Sequence, residues 1–210
     1  MNPQLLPQPS ALDAESRVLL EGVSWQQYES LLGVLGDDFP TLRLSYLEGT
    51  LEIMTNSPEH EDLKKMIGML VEAYLQETRT RFHAGGSTTF RKAAKQRGLE
   101  PDECYCLGQK KEFPDLAIEV VITSGLVDKL EIYQGLGVTE VWLWQARQGQ
   151  VRQGQTGQFL IHHLRSTAYE LIQTSKLLPE LDVSLLAQYI KPEEQFDAVM
   201  AFREAIRGLP

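Results

Sequence analysis

The stretch PDLAIEVV, residues 114–121, carries acidic groups in an apolar setting. Side chains alternate along a strand, so Asp115, Ala117, Glu119 and Val121 share one face, and Leu116, Ile118, Val120 and Ile122 take the other. Both faces are nearly apolar, which suits a central strand of a covered sheet. Burying a lone carboxylate is costly, so such groups are usually paired or hold a metal. The preceding text EPDE adds Asp102. If the strands carrying Asp102 and Glu119 are neighbours, the two carboxylates converge on one cation, with Asp115 a further candidate ligand. Mg²⁺ (or Mn²⁺) fits such oxygens, since magnesium commonly takes one or two carboxylates plus waters and substrate phosphate. Asp102 and Asp115 also have a plainer reading as turn residues after proline. Glu119 has none.

Lys129 follows in the first turn or two of the next helix. A cation there opposes the helix dipole, so a partner elsewhere should hold it. Pointed back toward the strand end, it meets Glu119 and can steady developing phosphoryl charge or orient a water. The competing reading is an exposed lysine paired with Asp128 or Glu131.

These residues need elements to position them. Residues 1–20, rich in proline and polar groups, read as a flexible arm, and 21–210 as a single domain. Ser24, with Gln27 three residues on, starts a helix running to about Gly36. RLSYLE and TLEIM alternate about Gly49 as a hairpin. Ser57-Pro58 opens a long helix with a Leu63, Met66, Ile67, Leu70, Tyr74 stripe, ending near Thr78. TRFHA and STTFRK read as a strand pair about Gly85-Gly86, and residues 94–100 as a polar turn. Strands are expected over 102–108 and 114–122. After the break at Thr123-Ser124-Gly125 come a helix ending at Gly137 and the strand EVWLW. Strand, helix, strand over 114–145 is a crossover, so those two strands should be parallel neighbours. VRQ, QFLIHHL and AYELIQ read as hairpin strands. Helices near 181–190 and 192–207 close the chain, as a lid on the core or a dimer surface.

The 210 residues amount to about one domain, long enough to bury a core without metal or disulfide. Lys and Arg number 20 against 29 Asp and Glu, giving net charge −9 and a pI of about 5.0. That balance argues against a general nucleic-acid or anionic-membrane coat. A local basic stretch exists nonetheless. No acidic residue lies between Glu77 and Glu100, where Arg79, Arg81, Arg91, Lys92, Lys95 and Arg97 fall, and Lys110 and Lys111 follow. Its plainer reading is a solvated hairpin surface. Cys104 and Cys106 lack the further ligands a zinc site needs, and two buried or half-buried thiols are expected. No apolar run approaches the roughly 20 residues of a membrane helix. The first residues lack the pattern of a secretory signal, so a cytoplasmic location is expected.

A Pro-Asp on one strand, with a glutamate in an apolar strand 17 positions later, is similar to the PD-(D/E)XK nuclease superfamily. The segments RLSYLEG, TLEIM, SPEHEDLK, GSTTFR, EPDECY, PDLAIEVV, DKLEIY and LGVTEVWLW more closely resemble the Uma-type restriction-endonuclease family, over about residues 24–175. The resemblance implies an α/β, restriction-endonuclease-like mixed β-sheet core flanked by helices, with a C-terminal β-hairpin and helical elaboration. It implies Asp102 and Glu119 as metal ligands and metal-assisted phosphodiester hydrolysis. A lysine is expected two positions after the glutamate, where Val121 stands; Lys129 matches relatives in which it has moved to the next helix. Glu48 matches an acidic position before the hairpin glycine, whereas Ser45 stands where a glutamate is common. His60 also matches a family position, with a capping or surface role as its alternative. Arg91, Lys92 and His60 would contact substrate, the basic stretch meeting DNA phosphates. A symmetric homodimer would suit cleavage of both strands.

Two readings result. One is a divalent-metal-dependent DNA endonuclease. The other is a non-catalytic relative serving interaction or regulation, favoured by the acidic pI and by Ser45. Hydrolysis of a different phosphate ester is a third, since function lives in the site rather than the fold. Lys129 discriminates: beside Glu119 it completes a catalytic set despite Val121, and in solvent it favours the second reading.

Overall fold

The computed structural model describes residues 15–35, 39, 41–85, 88–123, 125, 127–146 and 157–208. In chain order the elements are β1 (Ser16–Leu20), α1 (Trp25–Leu35), β2 (Leu42–Leu47), β3 (Thr50–Thr55), α2 (Pro58–Glu77), β4 (Phe82–Gly85), β5 (Phe90–Lys92) and β6 (Arg97–Leu99). There follow β7 (Glu103–Leu107), β8 (Leu116–Val121), α3 (Lys129–Leu136), β9 (Glu140–Gln145), β10 (Gln158–Leu164), β11 (Tyr169–Ile172), α4 (Val183–Gln188) and α5 (Gln195–Arg207). The strands form a five-stranded sheet, β1-β3-β2-β6-β5, and a six-stranded sheet, β11-β10-β9-β8-β7-β4.

The β2–β3 hairpin forms as its alternation dictates. Glu48 and Gly49 both adopt left-handed backbone, φ 46° and 96°, as a tight two-residue hairpin turn demands. Leu44, Tyr46 and Leu51 pack with Tyr28 of α1 on one face. Ser45 pairs with Glu52 across the strands, and Arg43 with Met54; these four share the opposite face.

The six-stranded sheet is mixed. β7 runs antiparallel to β8, and β8 parallel to β9 through the α3 crossover, as expected. Leu116, Ile118 and Val120 join the main core with Leu63, Met66, Ile67 and Leu70 of α2. Ala117, on the other face, packs with Ile132, Tyr133 and Leu136 of α3. α2 starts at the Ser57 cap, whose Oγ accepts from the His60 amide at 3.2 Å. α3 starts at Asp128, whose carboxylate accepts from Leu130 and Glu131 amides, and ends at Gly137 with φ 83°.

Four expectations are corrected. Residues 16–20 of the supposed arm form β1, antiparallel to β3 over five residue pairs, Ser16↔Thr55 to Leu20↔Leu51. β4 and β5 are not a pair: β4 joins β7 in one sheet and β5 joins β6 in the other. Residues 94–100 are not merely a turn, because β6 falls among them; Leu99 is fully buried and Gly98 lies beneath the Tyr28 ring. The helix expected over 181–190 is confined to α4. Residues 1–14 and the strand expected at 151–153 lie outside the described residues.

The end of the chain covers the core. Ala198 and Phe202 of α5 are buried in it, and Glu77 at the end of α2 holds Arg203 at 2.6 Å and Arg207 at 2.7 Å. Among the described residues no helix is long and apolar enough to cross a membrane. Cys104 and Cys106 are free, buried thiols, as expected.

Candidate active site

The last register step between β7 and β8 pairs Glu103 with Ile118. One residue further places Asp102 level with Glu119. Asp102 Oδ2 accepts from the Val120 amide at 2.8 Å, which fixes the carboxylate against β8. Asp102 and Glu119 are both buried, at 8% and 1% exposure.

Lys129, the first residue of α3, turns back to this strand. Its Nζ lies 2.5 Å from Glu119 Oε2. Tyr133, one turn on, donates its hydroxyl to Glu119 Oε1. Residues four apart share a helix face, so α3 presents both donors to one carboxylate. Burial pushes the Glu119 carboxyl up; Lys129 opposes this and the Asp102 charge reinforces it, leaving it above the usual range. Burial disfavours the Lys129 ammonium, but Glu119, Asp102 and Glu52 more than compensate and hold it protonated. Beside the pair opens a cavity of about 250 Å³, lined by Arg17, Glu119, Thr123, Gly125, Lys129 and Leu143 among others.

A chain of charge continues away from Asp102. His60 Nε2 is 2.9 Å from Asp102 Oδ1, and His60 Nδ1 is 2.7 Å from Glu15 Oε1. Burial lowers the imidazole pKa, but the two carboxylates outweigh it and raise it to about 9. The resulting imidazolium overcomes burial at Asp102 and, with Lys129 and the Val120 amide, holds that carboxyl down at about 2. Both ring nitrogens of His60 are engaged and the residue is 1% exposed. It therefore sits as a support behind Asp102 rather than at a surface open to substrate.

Sequence reasoning passed over Glu15, Arg17, Glu52, Thr123 and Tyr133. Arg17 Nη2 pairs with Glu15 at 2.9 Å and Nη1 with Glu52 at 3.3 Å. Glu52 is 1% exposed. A glutamate amid the apolar residues of TLEIM gives the same signal as Glu119 in its strand, so Glu52 could have been found. Glu15 and Arg17 carried no such signal.

Other candidates are placed elsewhere. Glu48 sits on the hairpin turn, 64% exposed and paired with Arg97 at 2.8 Å; its left-handed turn carries it away from the sheet face that bears Glu52. Asp115 precedes β8, where its carboxylate accepts from the Leu107 amide at 2.8 Å and meets Lys111 Nζ at 2.6 Å. It is four residue steps along the strand from Glu119, roughly 13 Å, so it closes the β7–β8 turn instead of joining Asp102. Arg91 is half-exposed and 3.9 Å from Glu29, and Lys92 lies over the Phe113 ring at 5.5 Å. Arg97 is buried between Glu48 and Glu131. The basic stretch is thus divided between two sheets and partly neutralised.

The donor chemistry can be tested against a divalent ion. Among the described residues no group of three or more His, Cys, Asp and Glu side chains forms a metal cage. Magnesium does not require one, because waters and substrate fill most of its octahedron. Asp102 and Glu119 offer hard oxygens with unused lone pairs. In the cluster, four carboxylates (Glu15, Glu52, Asp102, Glu119) face three cations (Arg17, His60, Lys129). Asp102 and Glu119 are the side-chain oxygens that would face such an ion.

Two buried carboxylates on adjacent strands of a mixed sheet, answered by a lysine from the following helix, define an α/β protein of the restriction-endonuclease-like class. Residues 25–189 match the Uma2 family, described as "Putative restriction endonuclease", and the chain belongs to that family. No individually curated protein matches the chain. Glu15 and Arg17 lie outside the matched segment.

Proposed function

We propose that the protein is a divalent-metal-dependent endonuclease that hydrolyses phosphodiester bonds in DNA. The observation that carries this reading is the Lys129–Glu119 contact beside Asp102, which assembles a complete carboxylate–lysine set despite Val121. Asp102 and Glu119 would hold a magnesium or manganese ion, which would supply Lewis acidity toward the scissile phosphate. His60 keeps Asp102 ionised and oriented for that task. Tyr133 fixes one Glu119 oxygen and Lys129 the other. The ammonium has three N–H donors and spends one on Glu119; the remainder serve the attacking water or the charge growing on phosphoryl oxygens. From the 79–97 stretch, the exposed Arg91 and the partly buried Lys92 contact DNA phosphates, so affinity falls with salt. A homodimer in the cytoplasm completes this reading, since two symmetric sites suit cleavage of two strands.

The test is nicking of supercoiled plasmid with Mg²⁺ or Mn²⁺, alongside Mn²⁺ titration by calorimetry. Wild type should nick and bind the ion, and Glu119→Ala should do neither. Wild-type protein that nicks no DNA with either ion would overturn the proposal in favour of a non-catalytic relative.

A further inference from the structure

Arg17 is the second residue of β1, and its side chain is 13% exposed. Its guanidinium is clamped on one side. Nη2 donates to Glu15 Oε2 at 2.9 Å, to Thr123 Oγ1 at 2.9 Å and to Thr123 O at 3.1 Å, and Nε donates to Thr123 Oγ1 at 3.3 Å. Glu15 is itself fixed by His60. Thr123 lies just past the end of β8, the strand of Glu119. Nη1 is engaged far less. It carries two N–H groups, and its contact among the described residues is the long 3.3 Å pair with Glu52. Arg17 and Lys129 are the cations on the wall of the 250 Å³ cavity that also exposes Glu119.

Nη1 lies near Gly125, which lines the cavity: a Cβ built there would be 3.8 Å from it; a fork held on its other arm in this way is prepared for a phosphate oxygen. Arginine matches phosphate geometry better than lysine does, and a charge-assisted contact to an anion is among the stronger hydrogen bonds. Holding the fork in advance removes the ordering cost from the binding step. We infer that Arg17 binds a non-bridging oxygen of the substrate phosphate through Nη1, and that Glu15 and Thr123 position it. The incoming oxygen replaces the long Glu52 contact. Arg17 takes this part provided that the site meets phosphodiesters as proposed above. The segment before residue 25, outside the family match, then contributes directly to the reaction centre.

The test separates binding from cleavage. Binding of a short fluorescein-labelled DNA duplex is followed by anisotropy in Ca²⁺ across a potassium chloride series, and cleavage of the same duplex in Mg²⁺. Arg17→Gln should weaken binding and flatten the slope of log affinity against log salt by about 0.9, the value of one phosphate contact. It should also lower kcat/KM by about tenfold or more. Arg17→Lys should keep the salt slope but not the rate, because it restores the charge without the fork. Circular dichroism melting of each variant reports folding separately. Arg17→Gln protein with wild-type affinity and slope overturns the inference and leaves a structural clasp, and so does a variant that cuts faster. Wild type that binds but does not cut removes the nuclease reading alone, and the salt slope still decides the Arg17 contact. Wild type that does not bind the duplex overturns both.

Discussion

Lys129 Nζ lies 2.5 Å from Glu119 Oε2 although the two belong to different elements, and Val121 stands where a lysine on the same strand would be. Lys129→Met should therefore act twice. It should abolish nicking, and it should leave Glu119 buried without its cation. Breaking a buried pair by removing one partner costs about 3 kcal/mol or more, readable as a lowered urea midpoint at neutral pH. An unchanged midpoint would show that the pair contributes nothing to the folded state.

Tyr133→Phe removes the hydroxyl that Glu119 Oε1 accepts from and keeps the ring that packs beside Ala117 and Val141. Leaving a buried acceptor short of a donor costs about 1–3 kcal/mol. Unfolding by urea measures that loss. Mn²⁺ calorimetry should show weaker binding, because the carboxylate has lost one of its two fixed donors.

Glu77 gives a pH dependence of definite sign. Hydrogen bonds from Arg207 and Arg203 hold its carboxyl at about 2 against an ordinary 4.5. A depressed folded pKa contributes stability that is present above the unfolded value and lost as pH falls through the folded one. The clamp of α5 on α2 should weaken progressively from pH 4.5 toward 2. Glu77→Gln should melt lower at pH 7 and lose this part of the acid sensitivity; parallel melting curves across that range would refute the assignment.

Gly98→Ala should destabilise the protein without touching the candidate site. A methyl group there would overlap the Tyr28 ring, which is stacked on Tyr46 at 4.7 Å and fully buried. Overpacking of this kind costs about 1–3 kcal/mol, and a thermal melt with intact Mn²⁺ binding would confirm it.

The parts of the site that rest on short-range rules were legible in the sequence. Period-two alternation placed Glu119 on the face toward α3, the crossover rule made β8 and β9 parallel, and the unfavourable dipole position of Lys129 pointed to a partner. Glu48 lies on a turn whose left-handed backbone exposes it, a placement that strand alternation does not report, whereas Glu52, four residues on, faces the cluster. Asp115 shares the parity of Glu119, but parity says nothing about distance along the strand, and Asp115 is spent on Leu107 and Lys111. Glu15 and Arg17 were out of reach altogether. Their partners are His60, Glu52 and Thr123, separated from them by 35 to 108 positions, and no local pattern encodes such a meeting. β6 escaped notice because Arg97, buried between two carboxylates, looks in sequence like any surface arginine.

β1 is the outermost strand of its sheet, and Val18, Leu19 and Leu20 are each at least 38% exposed. Strands of this kind, with few buried contacts, belong to the low end of the local stability range and open without global unfolding. Yet β1 carries Arg17 into the cluster, and Glu15 immediately precedes it. Peeling of this strand would withdraw an arginine from Glu52 and a carboxylate from His60 together. Native-state amide exchange over residues 16–20 would then time the assembly and disassembly of the whole charged centre. Slow exchange there would show that the hydrogen bonds of Arg17 and the β1–β3 ladder keep the centre assembled.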